Sequence, residues 1–181
     1  MFTRFNDALF LAREQYGTTR SRRAAIILTD GIDSGRGTTI EKALNALLQA
    51  QVTVYVVSNT QISRAAKQEE LDSYNGATES VRRFNHLQIE NLQLGLKALD
   101  QGEKVLEQVV TATGGRLYKP ASFAVLESAY AEVAEELRSQ YALFYRPLDK
   151  TRDGKFRRTR VETTNRSYQT HSRIGYYTRG S

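Results

Sequence analysis

The chain contains no cysteine. Disulfide frameworks, thiol nucleophiles and thiolate zinc sites are therefore excluded, while the redox compartment stays open because secreted bacterial domains often lack cysteine as well. Histidine is nearly as scarce: His86 and His171 are the only two, and neither has the carboxylate or serine neighbours expected of a catalytic base or a metal ligand. Both read as ordinary surface residues. Nowhere do about 18 apolar residues run together, so no transmembrane span is expected. The apolar opening of the chain is interrupted by Arg4, Asp7 and Arg13 and reads as an amphipathic helix of the mature protein rather than a signal peptide. There is no internal repeat and no low-complexity tract.

What is present suffices for one sizeable core and a small appendage: 181 residues, of which 40% are hydrophobic. The net charge of +6 is unevenly placed. Residues 141–181 carry ten Lys or Arg against three Asp or Glu, whereas the first 140 carry sixteen against seventeen. Any electrostatic partner would meet the C-terminal segment.

Periodicity orders the chain. Phe2, Phe5, Leu9, Ala12 and Tyr16 recur at helical spacing, with Gly17 as the C-terminal cap. Ala24 to Thr29 is a short continuous apolar run ending at Asp30, suited to a parallel strand covered on both faces, and residues 31–37 must then be a loop. Thr38 and Glu41 have capping-box spacing ahead of a helical face made by Ile40, Ala43, Leu44, Leu47 and Leu48. The β-branched run Val52 to Val57 follows, and strand, helix, strand in this order implies a right-handed parallel crossover. Residues 60–99 turn polar with a loose helical pattern and read as an inserted helical excursion. Asp100 and Glu103 predict a fresh helix start before Val105, with Gly114 and Gly115 at its end and a short strand over residues 116–119. Ser122 predicts the N-cap of a helix reaching Ser139. Beyond it the period becomes two, and Tyr141 to Arg146, Phe156 to Thr163 and Ser172 to Tyr177 predict three strands of a small antiparallel sheet. The last helix, through Tyr130 or Leu137, is the expected support for Tyr145, Phe156 and Tyr176. The expected fold class is α/β: a parallel sheet flanked by helices over residues 1–139, interrupted by the helical insert at about 60–99, then an antiparallel β extension over residues 140–181.

Asp30 ends a buried parallel strand and faces a glycine-rich loop, where open α/β sheets bind ligands. A carboxylate there can ligate a hard cation. The plainer alternative is that Asp30 starts a turn by bonding the amides of its own loop, and spacing alone leaves both open.

Ile27-Leu28-Thr29-Asp30-Gly31-Ile32-Asp33-Ser34-Gly35 resembles the loop of von Willebrand factor type A domains whose aspartate belongs to the metal-ion-dependent adhesion site. Thr3-Arg4-Phe5-Asn6-Asp7-Ala8-Leu9 resembles the segment where that family places a metal-site threonine before a helix. Gly102 to Leu106 and Thr113 to Tyr118 resemble its last helix-to-strand passage. Ser139 to Tyr145, continuing through Gly154 to Arg157 and Gly175 to Tyr177, resembles a β extension in a bacterial, Acidobacteria-like branch. The resemblance implies a partial, Rossmann-like sheet, a Mg²⁺ or Mn²⁺ site with Thr3 and Asp30 among its ligands, and recognition of a protein whose carboxylate completes the metal. It implies no enzyme activity, and intact relatives of that branch are expected outside the cytoplasm. The family's Asp-x-Ser-x-Ser motif occurs nowhere in this sequence, so Thr3 and Asp30 are two ligands of an incomplete site and cation binding should be weak. In that family the strand carrying the motif pairs with the strand here running from Ala24 to Thr29. The resemblance therefore also implies an open edge along Ala24 to Thr29, prone to self-association.

Other chemistries fit less well. Gly31, Gly35 and Gly37 resemble a phosphate cradle but match neither the P-loop spacing nor the dinucleotide fingerprint, where Ile40 replaces the third glycine. Lys150, Arg152, Lys155, Arg157, Arg158 and Arg160 alternate with aromatic residues, as in a nucleic-acid-binding surface. A nucleic-acid-binding module on the basic C-terminal sheet is thus the alternative function, and a solvated sheet face with arginines guarding its edges the simpler account of the same residues. An enzyme with a loop site at Asp30 ranks last.

Overall fold

The structure, a computed structural model, describes residues 3–16, 22–35 and 37–178. It is mixed α/β. A three-stranded parallel sheet is built from β1 (Arg23–Thr29), β2 (Val52–Ser58) and β3 (Leu117–Tyr118), in the order β1-β2-β3. Its helices are α1 (Phe5–Ala12), α2 (Ile40–Gln49), α3 (Thr60–Asn75), α4 (Glu79–Phe84), α5 (His86–Thr113) and α6 (Leu126–Arg138). Near the C-terminus β4 (Phe156–Arg158) and β5 (Gly175–Tyr177) form a two-stranded antiparallel ladder. No helix among the described residues is long and apolar enough to cross a membrane.

The central strand explains the layers. Val52, Val54 and Val56 of β2 point to one side, into a core with Phe5 and Leu9 of α1, Leu44 and Leu47 of α2, and Leu106 and Val109 of α5. Tyr55 and Val57 point to the other side, against Ala129 and Val133 of α6 and Tyr118 of β3. A continuous β-branched run is what a parallel strand covered on both faces requires. β1 is different. Ala25 and Ile27 join the first core, but α6 lies over β2 and β3, leaving Ile26 48% and Leu28 54% exposed on the opposite face.

The segment of residues 60–99 is helical, and it continues without interruption into the helix that follows. α5 runs 28 residues, roughly 42 Å at 1.5 Å per residue, and its outer half pairs with α3. Asp100 and Glu103 consequently stand in mid-helix and start nothing. They bind Arg64 of α3, Glu103 at 3.1 Å, while Lys119 also reaches Glu103 at 2.5 Å. At the start of α2 the cap is Thr39, whose Oγ1 accepts from Lys42 N–H at 3.3 Å, one residue later than the Thr38–Glu41 spacing suggests. Gly17, the expected cap of the first helix, lies outside the described residues.

The C-terminal segment forms fewer strands than its alternation predicts. Tyr141 to Arg146 forms no strand among the described residues, and the other two candidates contract to β4 and β5. The ladder docks against α2 and the end of α5, not against α6: Tyr177 Oη donates to Asn45 Oδ1 at 2.9 Å, and Ile174 N–H donates to the Ala112 carbonyl at 3.2 Å. Tyr130, the expected support from α6, stays 40% exposed.

Two glycines fix how closely the loop after β1 meets α5. Gly31 has φ +74°, and a Cβ there would lie 2.6 Å from the Gly102 carbonyl oxygen; a Cβ on Gly102 would lie 2.5 Å from the Asp30 carbonyl oxygen. Each contact is with backbone, which cannot swing aside. Gly102→Ala should therefore lower unfolding free energy by roughly 1–3 kcal/mol, the usual range for overpacking. Urea denaturation checks this, and an unchanged midpoint would show that the loop is free to retreat from the helix.

Candidate functional site

Asp30, Gly31 and the following loop emerge where the parallel strands end, and the N-terminus of α1 comes to the same place. Three long-range contacts join them. Thr3 N–H donates to Ser34 Oγ and Ser34 N–H to the Thr3 carbonyl, both at 3.0 Å. Asn6 N–H donates to Asp33 Oδ1 at 3.2 Å, and Thr38 N–H donates to Asp7 Oδ1 at 2.7 Å. Sequence reasoning missed Asn6, Asp7, Asp33 and Ser34. The signal available for Asp7 and Asp33 was residue type alone, since an acidic side chain near a helix N-terminus or in a glycine-rich loop commonly takes backbone N–H bonds.

Asp30 does what the plainer alternative assigned to it: its Oδ1 accepts from Ile32 N–H at 3.0 Å, while Gly31 N–H donates to Thr29 Oγ1 at 3.0 Å. Thr3 is exposed and is held by its backbone. Ser34 ties Thr3 to the loop that Asp30 begins, and no hydrogen bond joins Thr3 to Asp30 among the described residues. Two buried side-chain oxygens on α1 and after β2, Asn6 Oδ1 and Asn59 Oδ1, have no hydrogen-bond partner among the described residues.

The side chains named here offer oxygen: the carboxylates of Asp7, Asp30 and Asp33, the hydroxyls of Thr3 and Ser34, and the amide of Asn6. That chemistry suits a hard cation such as Mg²⁺ and offers nothing to a soft one. The number of charges is the shortfall. No group of three or more His, Cys, Asp or Glu able to hold a metal occurs among the described residues, and Thr3 with Asp30 alone supplies too few ligands for a cation that takes about six.

The basic C-terminal segment is partly neutralised from within. Arg157 pairs with Asp149 and, at 3.5 Å, with Asp153; Lys155 also reaches Asp153, and Arg160 reaches Glu162 at 2.7 Å. The Asp149 carboxyl is held at about 2, chiefly by hydrogen bonds from Thr151 and then by Arg157. Half of the six basic residues singled out in the sequence are therefore engaged with acids of their own segment. Lys150, Arg152 and Arg158 have no ion pair among the described residues.

Comparison with protein-family models, with curated proteins and with solved structures gives no match.

Asp7 ties the start of α1 to the start of α2. Gly37 permits the approach, because a Cβ there would lie 2.5 Å from the Asp7 carboxylate oxygens. The Thr38 backbone and side-chain hydrogen bonds lower the Asp7 pKa below its ordinary 3.8, with a smaller contribution from Arg4. A depressed carboxyl stabilises the fold fully above its unfolded value, and that stability is lost as pH falls through the lowered one. Unfolding measured from pH 6 downward should lose stability below about pH 3.8. Asp7→Asn should start less stable and lose less over that window; identical pH profiles for the two proteins would contradict the assignment.

Proposed function

We propose that this chain is a protein-binding module of the von Willebrand factor type A kind, in which a weakly held Mg²⁺ or Mn²⁺ at the Asp30 loop is completed by a carboxylate of the partner protein. One observation supports the reading: at the carboxyl end of β1, the loop that begins at Asp30 is tied to the start of α1, through Thr3 to Ser34 and Asn6 to Asp33. Asp30 keeps a second carboxylate oxygen beyond the one given to Ile32 N–H, and Asp33 likewise beyond the one given to Asn6. Such a cluster holds a cation without closing its coordination shell, and the open positions are what an incoming carboxylate would take. No nucleophile, base or acid is needed for that role.

Calorimetric titration with MgCl₂ and MnCl₂, with and without acetate as a carboxylate surrogate, tests the reading. Weak binding, with Kd on the order of millimolar, strengthened by acetate and lost in Asp30→Ala, is the expected result. Absence of cation binding under all these conditions, or binding unchanged by Asp30→Ala, would refute it. Micromolar Mg²⁺ affinity lost in Asp30→Ala would show instead that other residues of the chain complete the site, leaving no place for a partner's carboxylate.

A further inference from the structure

The outer edge of β1 is addressable residue by residue. Asn59 N–H donates to the Thr29 carbonyl at 3.3 Å, and Thr29 stands in register with Ser58 of β2. In a parallel ladder the N–H and C=O of one residue point to the same side, and successive residues alternate. Ala25, Ile27 and Thr29 therefore turn their backbone groups toward β2, while Ile26 and Leu28 turn theirs away from it. No strand pairs with that outer side among the described residues. The same two residues carry the exposed side chains on the face that α6 leaves uncovered. Unpaired backbone and exposed apolar side chains thus coincide at Ile26 and Leu28, which is the profile of an edge built to accept another strand.

The charges flanking this edge favour one occupant. Arg22 stands just before β1 and Asp30 just after it, and both share the parity of Ile26 and Leu28 and hence, in an extended chain, their face. Two identical edges related by a two-fold axis must run antiparallel. The basic end of each then meets the acidic end of the other. Arg22 is exposed and already positioned beside the strand by a 3.3 Å hydrogen bond to Gln140.

We infer that a second copy of this chain pairs with β1 across a two-fold axis, joining the parallel sheets of both copies into one. The axis passes at Ile27, so that Ile26 of each copy exchanges N–H and C=O bonds with Leu28 of the other. This register uses the outward groups of Ile26 and Leu28 and requires no others. It sets the two apolar pairs side by side on one face, covering each other, and places Arg22 of each copy diagonally across from Asp30 of the other, within reach of a long side chain. The inference stands apart from the cation reading, which concerns the loop beyond the strand and does not need the dimer.

Sedimentation equilibrium of the full chain tests it through charge complementation. Arg22→Glu alone sets a second carboxylate opposite Asp30, and Asp30→Lys alone sets a second cation opposite Arg22, so each variant should dimerise roughly tenfold more weakly than the parent. Mixing the two variants restores an attractive contact between them, and a heterodimer should form in preference to either homodimer. A parent that stays monomeric throughout, or a dimer indifferent to both substitutions, would overturn the proposal. A cysteine-free chain allows a second readout independent of the charges. Oxidising a mixture of Ile26→Cys and Leu28→Cys should give a cross-linked heterodimer in preference to either homodimer, and equal yields of all three products would exclude this register even if Asp30→Lys fails to fold.

Discussion

The burial of β2 on both faces is the constraint from which the rest of this structure follows. Five consecutive residues, Val54 to Ser58, are fully buried, and a strand so placed must have a helical layer on each side and a strand on each edge. α1, α2 and α5 satisfy one face, α6 the other, and β1 and β3 the edges. The end of α5 is stitched directly into the strand: Val54 N–H donates to the buried Thr113 Oγ1 at 3.1 Å, and a Cβ on Gly115 would collide with the Val54 carbonyl oxygen. The long helix is thereby fixed at its C-terminal end, and near its middle by the contact between Gly102 and the Asp30 loop.

That geometry accounts for both of the surfaces to which roles are assigned. The Asp30 loop cannot wander, because α5 holds its backbone from one side while Thr3, Asn6 and Asp7 hold it from another. Its carboxylates are presented from a fixed frame, which is what the proposed cation site would require. The outer side of β1 at Ile26 and Leu28, which no strand pairs among the described residues, is the complementary outcome. α6 covers β2 and β3 and, of the outermost strand, only Ala24 packs against that core, so Ile26 and Leu28 stay exposed. Ile26 and Leu28, 48% and 54% exposed, each forgo about half of the roughly 1.5–3 kcal/mol that full burial of such a side chain contributes, which matters against the roughly 5–15 kcal/mol that holds a typical domain together.

The strand, helix and strand from Ala24 to Val57 were legible because each declares itself locally: an unbroken apolar run, a helical apolar stripe, and a second, β-branched run. Gly114 and Gly115 correctly marked the end of α5, where Gly114 adopts φ +74°. The beginning of that helix was not legible. Asp100 and Glu103 have the spacing of a cap, but Arg64 and Lys119, distant in sequence, occupy those carboxylates, and only tertiary structure shows it. Tyr141 to Arg146 alternates like a strand yet pairs with no strand among the described residues, since alternation describes a segment's preference and not the presence of a neighbour. Asp30 was singled out from its place at the end of a parallel strand, and what the structure shows of it is the turn bond from Ile32 N–H. Asn6, Asp7, Asp33 and Ser34 act through contacts spanning about thirty residues, which no local pattern records.

Amide hydrogen exchange on a dilute sample shown to be monomeric tests most directly the claim that β1 is paired with β2 on one side and offers the unpaired backbone of Ile26 and Leu28 on the other. The N–H groups of Val54 and Val56, bonded within the buried centre, should exchange slowly, as should those of Ala25 and Ile27, which face β2. The N–H groups of Ile26 and Leu28 should exchange rapidly in the monomer. Slow exchange at Ile26 and Leu28 in that sample would contradict the account, because some part of the chain would then be pairing the edge.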